Sequence, residues 1–267
     1  MKKLGELMDL GGRVALVTGG GGHIGSAIAG VFLEAGARVV LCDLTMEACE
    51  RRAGELEKQG SGRPDSVAAD LAGEEGARGA VRDAIRRAGR LDILVHCAAF
   101  VGITRIPGWI EPFEKQTVAA WDAAMRVNLT AAFVMAQESA PSLKAGGHGS
   151  VILVSSIYGI VGPDKTLYEG TAMETPAGYA AGKGGLIQLG RYLATMLAPE
   201  IRVNCLTPGG VWRGQPEEFQ DRYKARTPLR RMATEEDLKG AALFLAGDLS
   251  SYVTGHNLVV DGGWTAW

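Results

Sequence analysis

The sequence predicts an α/β protein in which a doubly wound parallel sheet of about seven strands is flanked by helices. Short apolar runs alternate along the chain with longer segments of helical periodicity, which is the order of repeated β-α-β units. Most of the apolar runs lack a strict apolar/polar alternation, as expected for parallel strands that are covered on both faces. A glycine-rich stretch joins the first run to the first helical segment, as in sheets that bind ligands at this edge.

Each element follows from this pattern. Strands are predicted at residues 13–18, 38–42, 66–69, 92–96, 150–155, 201–206 and 257–260. Helices are predicted between them at 24–35, 45–59, 73–89, 117–145, 178–198 and 234–247. Three other segments follow the carboxyl ends of strands and are expected to be substrate loops, at about 100–116, 157–177 and 208–233. No linker rich in proline, glycine or serine interrupts the pattern, so one domain over residues 1–267 is expected.

Composition and charge exclude several functional classes. The formal net charge of −2 gives no electrostatic attraction to nucleic acid or to an anionic membrane. No apolar stretch is long enough to span a bilayer, and Glu6 and Asp9 interrupt the segment that would form a signal peptide. The four cysteines contain no CxxC pair, so no metal site or redox pair is expected, and free thiols fit a cytoplasmic protein. The expected partner is therefore a small-molecule substrate.

The glycine-rich stretch TGGGGHIG occupies residues 18–25, between the first strand and an apolar helix. Its glycines permit a tight turn and let a pyrophosphate approach the backbone, while the helix N-terminus offers free N–H groups and a partial positive charge. A glycine string alone is a weak signal, but the strand before it and the helix after it predict a dinucleotide site.

Two carboxylates follow the next strands. Asp43 ends the second strand, 18 residues after Gly25, where a carboxylate accepts both adenosine ribose hydroxyls and repels a 2′-phosphate. This position favours NAD(H) over NADP(H), and the alternative is that Asp43 caps the following helix. Asp70, after the third strand, is a candidate partner for the adenine amino group or a simple turn residue.

A candidate acid/base pair opens the helix at 178–198. Tyr179 and Lys183 are four residues apart and therefore share one helix face. A phenol titrates near 10, and a nearby ammonium together with a positive nicotinamide ring is expected to lower that pKa. The spacing is common by chance, so the interpretation depends on further partners.

Those partners lie on the preceding elements. Ser155 and Ser156 end the fifth strand, where a hydroxyl can hold a substrate oxygen beside Tyr179. Asn128 lies within the helix before that strand and is a candidate for binding a water molecule that links Lys183 to solvent. The alternative for Asn128 is a solvated helix residue.

With these motifs in place, the chain resembles the short, single-domain branch of the short-chain dehydrogenase/reductase family. The resemblance covers nearly the whole chain in the family's order, at residues 18–25, 96–99, 127–129, 155–159, 179–183, 204–211 and 255–263. It implies a Rossmann-type fold and a catalytic tetrad of Asn128, Ser156, Tyr179 and Lys183. Ser156 is chosen over Ser155 because the family's serine lies three residues before the glycine represented here by Gly159.

The resemblance also implies NAD as cofactor and a set of contact residues. These are Gly19, Gly21, Gly22, His23, Ile24, Gly25, Asp43, Leu44, Asp70, Leu71, Cys97, Ala98, Ala99, Tyr179, Lys183, Pro208, Gly209 and Val211. It further implies a homodimer or homotetramer that packs through the helices at 117–145 and 179–198.

Some positions depart from the family pattern. His23 replaces the usual second glycine of the turn, and HCAA at 96–99 replaces the common NNAG. Val211 fits the backbone contact to the nicotinamide amide, but Trp212 and Arg213 occupy the region where a threonine usually follows.

The loop before Tyr179 is longer than is usual in the family and contains several polar residues. With Arg213 and the basic residues of 208–233, it favours a polar substrate such as a polyol, sugar or sugar derivative; the alternative is that the basic run is a solvated helix face. The segment also resembles dehydrogenases of bacterial surface-glycan and flagellin-sugar pathways. The leading hypothesis is therefore an NAD(H)-dependent oxidoreductase that interconverts a secondary alcohol and a ketone.

Two other functions remain open. One is a 3-oxoacyl-thioester reductase of the same family, which use of NADPH would favour and Asp43 opposes. The other is a catalytically idle dinucleotide sensor or scaffold, which the four filled tetrad positions oppose.

Overall fold

The computed structural model describes residues 1–101 and 104–267. Its strands are β1 Val14–Thr18, β2 Arg38–Asp43, β3 Asp65–Ala68, β4 Ile93–His96, β5 Gly149–Val154, β6 Ile201–Pro208 and β7 Asn257–Val260. They form one parallel sheet in the order β3-β2-β1-β4-β5-β6-β7, which confirms the predicted fold class. The strand order reverses between β1 and β4, and such a switch point opens a crevice at the carboxyl ends of the strands.

Nine α-helices flank the sheet in the part of the chain that the structure describes. They are α1 Leu4–Met8, α2 His23–Glu34, α3 Met46–Lys58, α4 Glu74–Ala88, α5 Val118–Met125, α6 Ala131–Gly146, α7 Ala177–Met196, α8 Glu217–Arg226 and α9 Glu236–Ala246. Helices α4, α6 and α7 share one apolar core with one face of the sheet, and α2, α3 and α9 share a second core with the other face. Burial on both faces explains why the strands are continuously apolar rather than alternating. No helix among the described residues is long and apolar enough to cross a membrane.

Two segments differ from the sequence prediction. The helix expected at 117–145 is divided by a π-helical turn at Arg126–Thr130, which separates α5 from α6. Segment 208–233, expected to be irregular, contains α8. Only Phe219 and Tyr223 of that helix are buried, so its apolar periodicity rests on a single i, i+4 pair and is too sparse to recognise. Short 3₁₀ turns at Ile157–Gly159 and Lys165–Tyr168 lie in the predicted loop 157–177.

Candidate active site

The glycine-rich turn lies between β1 and the first residue of α2. Gly19 adopts a φ of +64°, a left-handed conformation that favours glycine. A Cβ at Gly25 would lie 2.3 Å from the carbonyl oxygen of Gly19, so only glycine fits this close approach. The first-turn N–H groups of α2 have no acceptor within the helix and are available to an anion. The turn therefore fits the pyrophosphate of a dinucleotide.

Thr18 ties this turn to the segment after β4. Its Oγ1 accepts the N–H groups of Cys97 and Ala98, each at 3.1 Å. His96 beside it is fully buried, with Nε2 3.2 Å from the carbonyl oxygen of Val127 and Nδ1 3.4 Å from Thr18 Oγ1. Burial, with a smaller effect of the Lys183 ammonium, lowers the pKa of His96 to about 3. In this chain the HCAA departure therefore places a neutral imidazole beside Thr18, at the start of the glycine-rich turn.

Two clefts meet at the carboxyl edge of the sheet. The larger one is named the adenosine-side cleft after the role predicted for Asp43, which lines it. It has a volume of about 700 Å³, within the range of small-molecule sites. Of the predicted cofactor residues it is lined by Gly19, Gly21, Gly22, His23, Ile24, Gly25, Asp43, Leu44, Asp70, Leu71, Cys97, Ala98 and Ala99. A second, catalytic cleft of about 260 Å³ is lined by the others, which are Tyr179, Lys183, Pro208, Gly209 and Val211. Both clefts share Ile24, Cys97, Ala99, Val101 and Arg213, so they are continuous.

Asp43 faces the adenosine-side cleft. Its carboxylate accepts the N–H of Gly21 at 2.9 Å and that of Leu44 at 2.8 Å. The alternative that Asp43 caps α3 is wrong, because Thr45 is the capping residue and accepts the N–H of Ala48 at 3.2 Å. Asp43 is thus held beside the glycine-rich turn, in the position that favours a ribose contact.

Asp70 is a turn residue, and its predicted contact with the adenine amino group stays a prediction. Its carboxylate accepts the N–H of Ala72 at 2.9 Å, which is a turn contact, and the exposed side chain also lines the adenosine-side cleft.

The candidate acid/base pair lies in the catalytic cleft. Lys183 is 3% exposed, its Nζ donates to the carbonyl oxygen of Val154 at 2.7 Å, and it lies 5.8 Å from the centre of the Tyr179 ring. Burial lowers the pKa of Lys183 to about 8. Ser155 Oγ donates to the carbonyl oxygen of Lys183 at 2.8 Å, so this serine holds α7. Ser156, whose Oγ accepts the N–H of Tyr158 at 3.2 Å, is left facing the cleft.

The pKa of Tyr179 differs from the sequence expectation. Burial raises it, while the hydroxyl of Ser156 and the positive charge of Arg213 act in the opposite direction. In the protein alone the expectation of a lowered pKa is therefore wrong, because desolvation of the phenolate outweighs its favourable neighbours. The lowering expected from a nicotinamide ring concerns the cofactor complex.

Asn128 lies in the π-helical turn and is fully buried, so the alternative of a solvated helix residue is wrong. Its Oδ1 accepts the N–H of Phe100 at 2.7 Å. Its Nδ2 has no hydrogen-bond partner among the described residues, and such a group is costly unless water or a ligand satisfies it. A Cβ built on Gly182 would lie 3.2 Å from Asn128 Cβ, which brings Asn128 next to the α7 turn that carries Lys183. The unpaired amide supports the predicted water site.

The loop 157–177 contributes a wall of hydroxyl groups that sequence reasoning missed. The hydroxyls of Tyr158 and Tyr168 lie 2.5 Å apart, and that of Tyr168 lies 2.7 Å from Thr175 Oγ1. All three residues line the catalytic cleft with Glu174 and Gln215. The two tyrosines can be seen in the sequence, but the loop brings their hydroxyls together with Thr175 only because it folds back over α8. Segment 100–116 includes residues 102–103, which lie outside the described residues; its Val101 lines both clefts.

Most of the basic residues of segment 208–233 lie outside both clefts. Those that line neither cleft are Arg222, Lys224, Arg226, Arg230 and Arg231. Arg226 pairs with Asp164, and Arg222 donates to the carbonyl oxygen of Glu169 at 2.5 Å, so both fasten α8 to the loop 157–177. Of the basic residues in this segment, these five therefore give no support to the prediction of a polar substrate, which stays a prediction for them. Arg213 alone among the predicted basic residues lines the clefts.

The chain is similar in sequence to known oxidoreductases. Residues 21–265 match the model of a family described as enoyl-(acyl carrier protein) reductase. The chain is 34% identical over 265 residues to a Rhizobium meliloti protein named "Probable galactose dehydrogenase GalD", with 97% of each chain covered. It is 33% identical over 262 residues to a 3-oxoacyl-[acyl-carrier-protein] reductase of Thermotoga maritima, covering 96% of this chain and 99% of that protein.

A solved structure has a similar fold. It is a gluconate 5-dehydrogenase of Burkholderia cenocepacia J2315, in complex with NADP and tartrate. The TM-score is 0.85 at 32% identity, and the alignment covers 99% of this chain and 100% of that one.

Proposed function

Because the chain belongs to the short-chain dehydrogenase/reductase family, whose members are oxidoreductases, we propose that it interconverts a secondary alcohol and a ketone with NAD(H) as cofactor. The observation that carries the proposal is the meeting of Tyr179, Lys183 and Ser156 in the catalytic cleft, which is continuous with the adenosine-side cleft. A general base and a hydrogen-bond donor in that cleft would face a substrate bound beside the nicotinamide.

Each residue has a distinct role in the proposed reaction. Tyr179, as its phenolate, accepts the alcohol proton and becomes the phenol, and Ser156 donates a hydrogen bond that keeps the substrate oxygen beside Tyr179. Lys183 supplies positive charge behind the phenol and holds the nicotinamide ribose, and Asn128 holds a water molecule that links Lys183 to solvent. The bound cofactor supplies the hydride acceptor. In the reverse direction Tyr179 returns the proton to the ketone oxygen.

The preference for NAD(H) over NADP(H) rests on Asp43. Its carboxylate lies beside the glycine-rich turn and lines the adenosine-side cleft, where it would repel a 2′-phosphate. Arg38 does not compensate, since its guanidinium is paired with Asp65 at 2.9 Å. The similar gluconate dehydrogenase was solved with NADP, so this preference is proposed for this chain on its own residues.

A polyhydroxylated substrate, such as a polyol, sugar or sugar derivative, fits the catalytic cleft. The hydroxyls of Tyr158, Tyr168 and Thr175 form one side of it and can both donate and accept hydrogen bonds. The similar proteins named for galactose and gluconate support this substrate class. The similar reductase of Thermotoga maritima supports 3-oxoacyl-thioester reduction instead, a reaction that Asp43 disfavours if NADPH is required.

The experiment is a comparison of Tyr179→Phe with Tyr252→Phe. Tyr252 is fully exposed and lines neither cleft, so it controls for loss of a tyrosine hydroxyl. NADH formation at 340 nm would be followed on polyols, aldoses and sugar acids, with cyclic ketones and a 3-oxoacyl thioester assayed in the reducing direction. We expect Tyr179→Phe to lose about 10²-fold or more of kcat with an unchanged circular dichroism spectrum. Full turnover by Tyr179→Phe would contradict the acid/base assignment, and turnover of the thioester alone would contradict the substrate class.

We also propose one domain, a cytoplasmic location and a homodimer or homotetramer. Exposed apolar side chains on α5, α6 and α7 support assembly through these helices, namely Trp121, Phe133, Tyr192 and Met196. The free cysteines support a reducing compartment. Light scattering on the purified protein measures the assembly directly.

A further inference from the structure

Arg213 lies at the junction of the two clefts and is not used by the proposed reaction. Its side chain lines both, between the glycine-rich turn on one side and Tyr179 on the other. Among the described residues that line the adenosine-side cleft, it is the one lysine or arginine, whereas Asp43 and Asp70 contribute negative charge. A dinucleotide that enters this cleft brings a doubly charged diphosphate, to which a guanidinium can add charge-assisted hydrogen bonds beyond those of the backbone N–H groups.

The backbone around Arg213 is held in place. Its N–H donates to Gln215 Oε1 at 2.7 Å, and Gln215 Nε2 donates to the carbonyl oxygen of Val211 at 2.9 Å. The neighbouring Trp212 N–H donates to the carbonyl oxygen of Ala233 at 2.8 Å. Arg213 therefore extends from a braced turn, so less conformational entropy is lost when its guanidinium binds a ligand.

A single carboxylate connects Arg213 to the glycine-rich turn. Glu235 Oε1 lies 4.0 Å from Arg213 Nε and 3.4 Å from His23 Nδ1. His23 is the first residue of α2, where the pyrophosphate is expected. The guanidinium is therefore only loosely paired, and it lies within reach of the helix end that faces the diphosphate.

From this geometry we propose that Arg213 binds the cofactor diphosphate, and that Glu235 holds it toward the turn until a dinucleotide enters. The proposal rests on the NAD(H)-dependent function above. It explains two departures from the family pattern together. His23 replaces the usual glycine and Arg213 occupies the region of the usual threonine, and the two side chains lie on either side of the Glu235 carboxylate. A guanidinium presents a planar fork of donors that matches phosphate oxygens and carries a charge that a threonine lacks.

The test measures binding rather than turnover. Isothermal titration would compare native protein, Arg213→Gln and Arg213→Lys for NADH, ADP-ribose and adenosine. Lys224→Gln is the matched control, because Lys224 lies in the same segment, carries the same charge and lines neither cleft. Arg213 is 32% exposed at its side chain, so replacement is compatible with folding.

We expect Arg213→Gln to raise the Kd for NADH and ADP-ribose about tenfold or more, while the Kd for adenosine changes less than about twofold. Arg213→Lys keeps the charge and should recover most of the affinity, and Lys224→Gln should bind as the native protein does. The Kd for NADH should also rise less steeply with salt in Arg213→Gln than in the native protein.

Native Kd values for NADH and ADP-ribose in Arg213→Gln would overturn the inference. So would an equal loss for adenosine, which indicates general damage to the cleft, or a higher KM for the alcohol with unchanged NADH binding, which assigns Arg213 to the substrate. If the native protein bound no NADH, the proposed function would fail as well, so the two failures are distinguishable.

Discussion

His96 is expected to make the protein sensitive to acid. Its imidazole is fully buried at the end of β4, and burial lowers its pKa from 6.5 to about 3. Because the folded-state pKa lies below the unfolded one, the unfolded chain binds the proton more tightly. The stability contributed by the neutral imidazole is complete above pH 6.5 and is lost progressively as the pH falls toward 3.

The size of the effect follows from the two pKa values. Each pH unit between 6.5 and about 3 costs about 1.4 kcal/mol of unfolding free energy. Between pH 7 and pH 4.5 His96 alone should therefore lower the unfolding free energy by about 3 kcal/mol. This is a large part of the stability of an ordinary domain.

The assay is urea unfolding of native protein, His96→Asn and His256→Asn at pH 7 and pH 4.5. His256 is exposed, so its replacement controls for loss of a histidine at the surface. Carboxylates contribute equally to all three proteins, so the difference between pH values isolates His96. We expect the loss of stability at pH 4.5 to be about 3 kcal/mol smaller in His96→Asn than in the other two. Equal losses in all three proteins would refute the reasoning, whatever their stabilities at pH 7.

Three further predictions concern the site and its support. Asp43→Ser should raise kcat/KM with NADP relative to NAD by about tenfold or more, measured at 340 nm, because the 2′-phosphate no longer meets a carboxylate. Gly25→Ala should abolish NADH binding and lower the unfolding free energy by about 2 kcal/mol or more, since its Cβ would lie 2.3 Å from Gly19 O. Arg226→Gln should cost about 1 kcal/mol of stability and raise the substrate KM severalfold, because Arg226 pairs with Asp164 and lies 4.5 Å from the centre of the buried Trp264 ring.

Two of these three predictions have a matched control variant. A Cβ at Gly79, in α4, would meet no atom within 4 Å, so Gly79→Ala should leave NADH binding intact. Lys224→Gln removes a positive charge from the same helix as Arg226 without touching the loop 157–177. An unchanged ratio of NADP to NAD use in Asp43→Ser would remove the main support for the cofactor preference.

The sheet was predictable because parallel strands leave a strong mark on the sequence. Each of the seven predicted strands lies within two residues of an observed one at both ends, since strands covered on both faces are unbroken apolar runs between polar turns. Helix α8 has no recognisable apolar periodicity, because only Phe219 and Tyr223 are buried. The π-helical turn at Arg126–Thr130 was equally hidden, since one extra residue in a helical turn changes backbone hydrogen bonding but not the apolar pattern.

Within the site, sequence order identified residues that follow strands and helix starts, because topology alone brings these to one edge. All the predicted cofactor residues line one of two continuous clefts for this reason. Both Ser155 and Ser156 line the catalytic cleft, but the hydroxyl of Ser155 is used in a hydrogen bond to the carbonyl oxygen of Lys183, a contact that sequence spacing does not reveal and that favours Ser156.

The sequence does not predict which side chains from distant loops come into contact. His23 and Arg213 appear in the sequence as two unrelated departures from a family pattern, 190 residues apart. In the fold both lie within 4.0 Å of one Glu235 oxygen, so the two departures are one arrangement. A histidine where the family has glycine, considered alone, counts against a tight phosphate turn. Together with Arg213 it is better explained as part of a polar cluster beside that turn, in which an imidazole and a guanidinium lie next to the same Glu235 carboxylate.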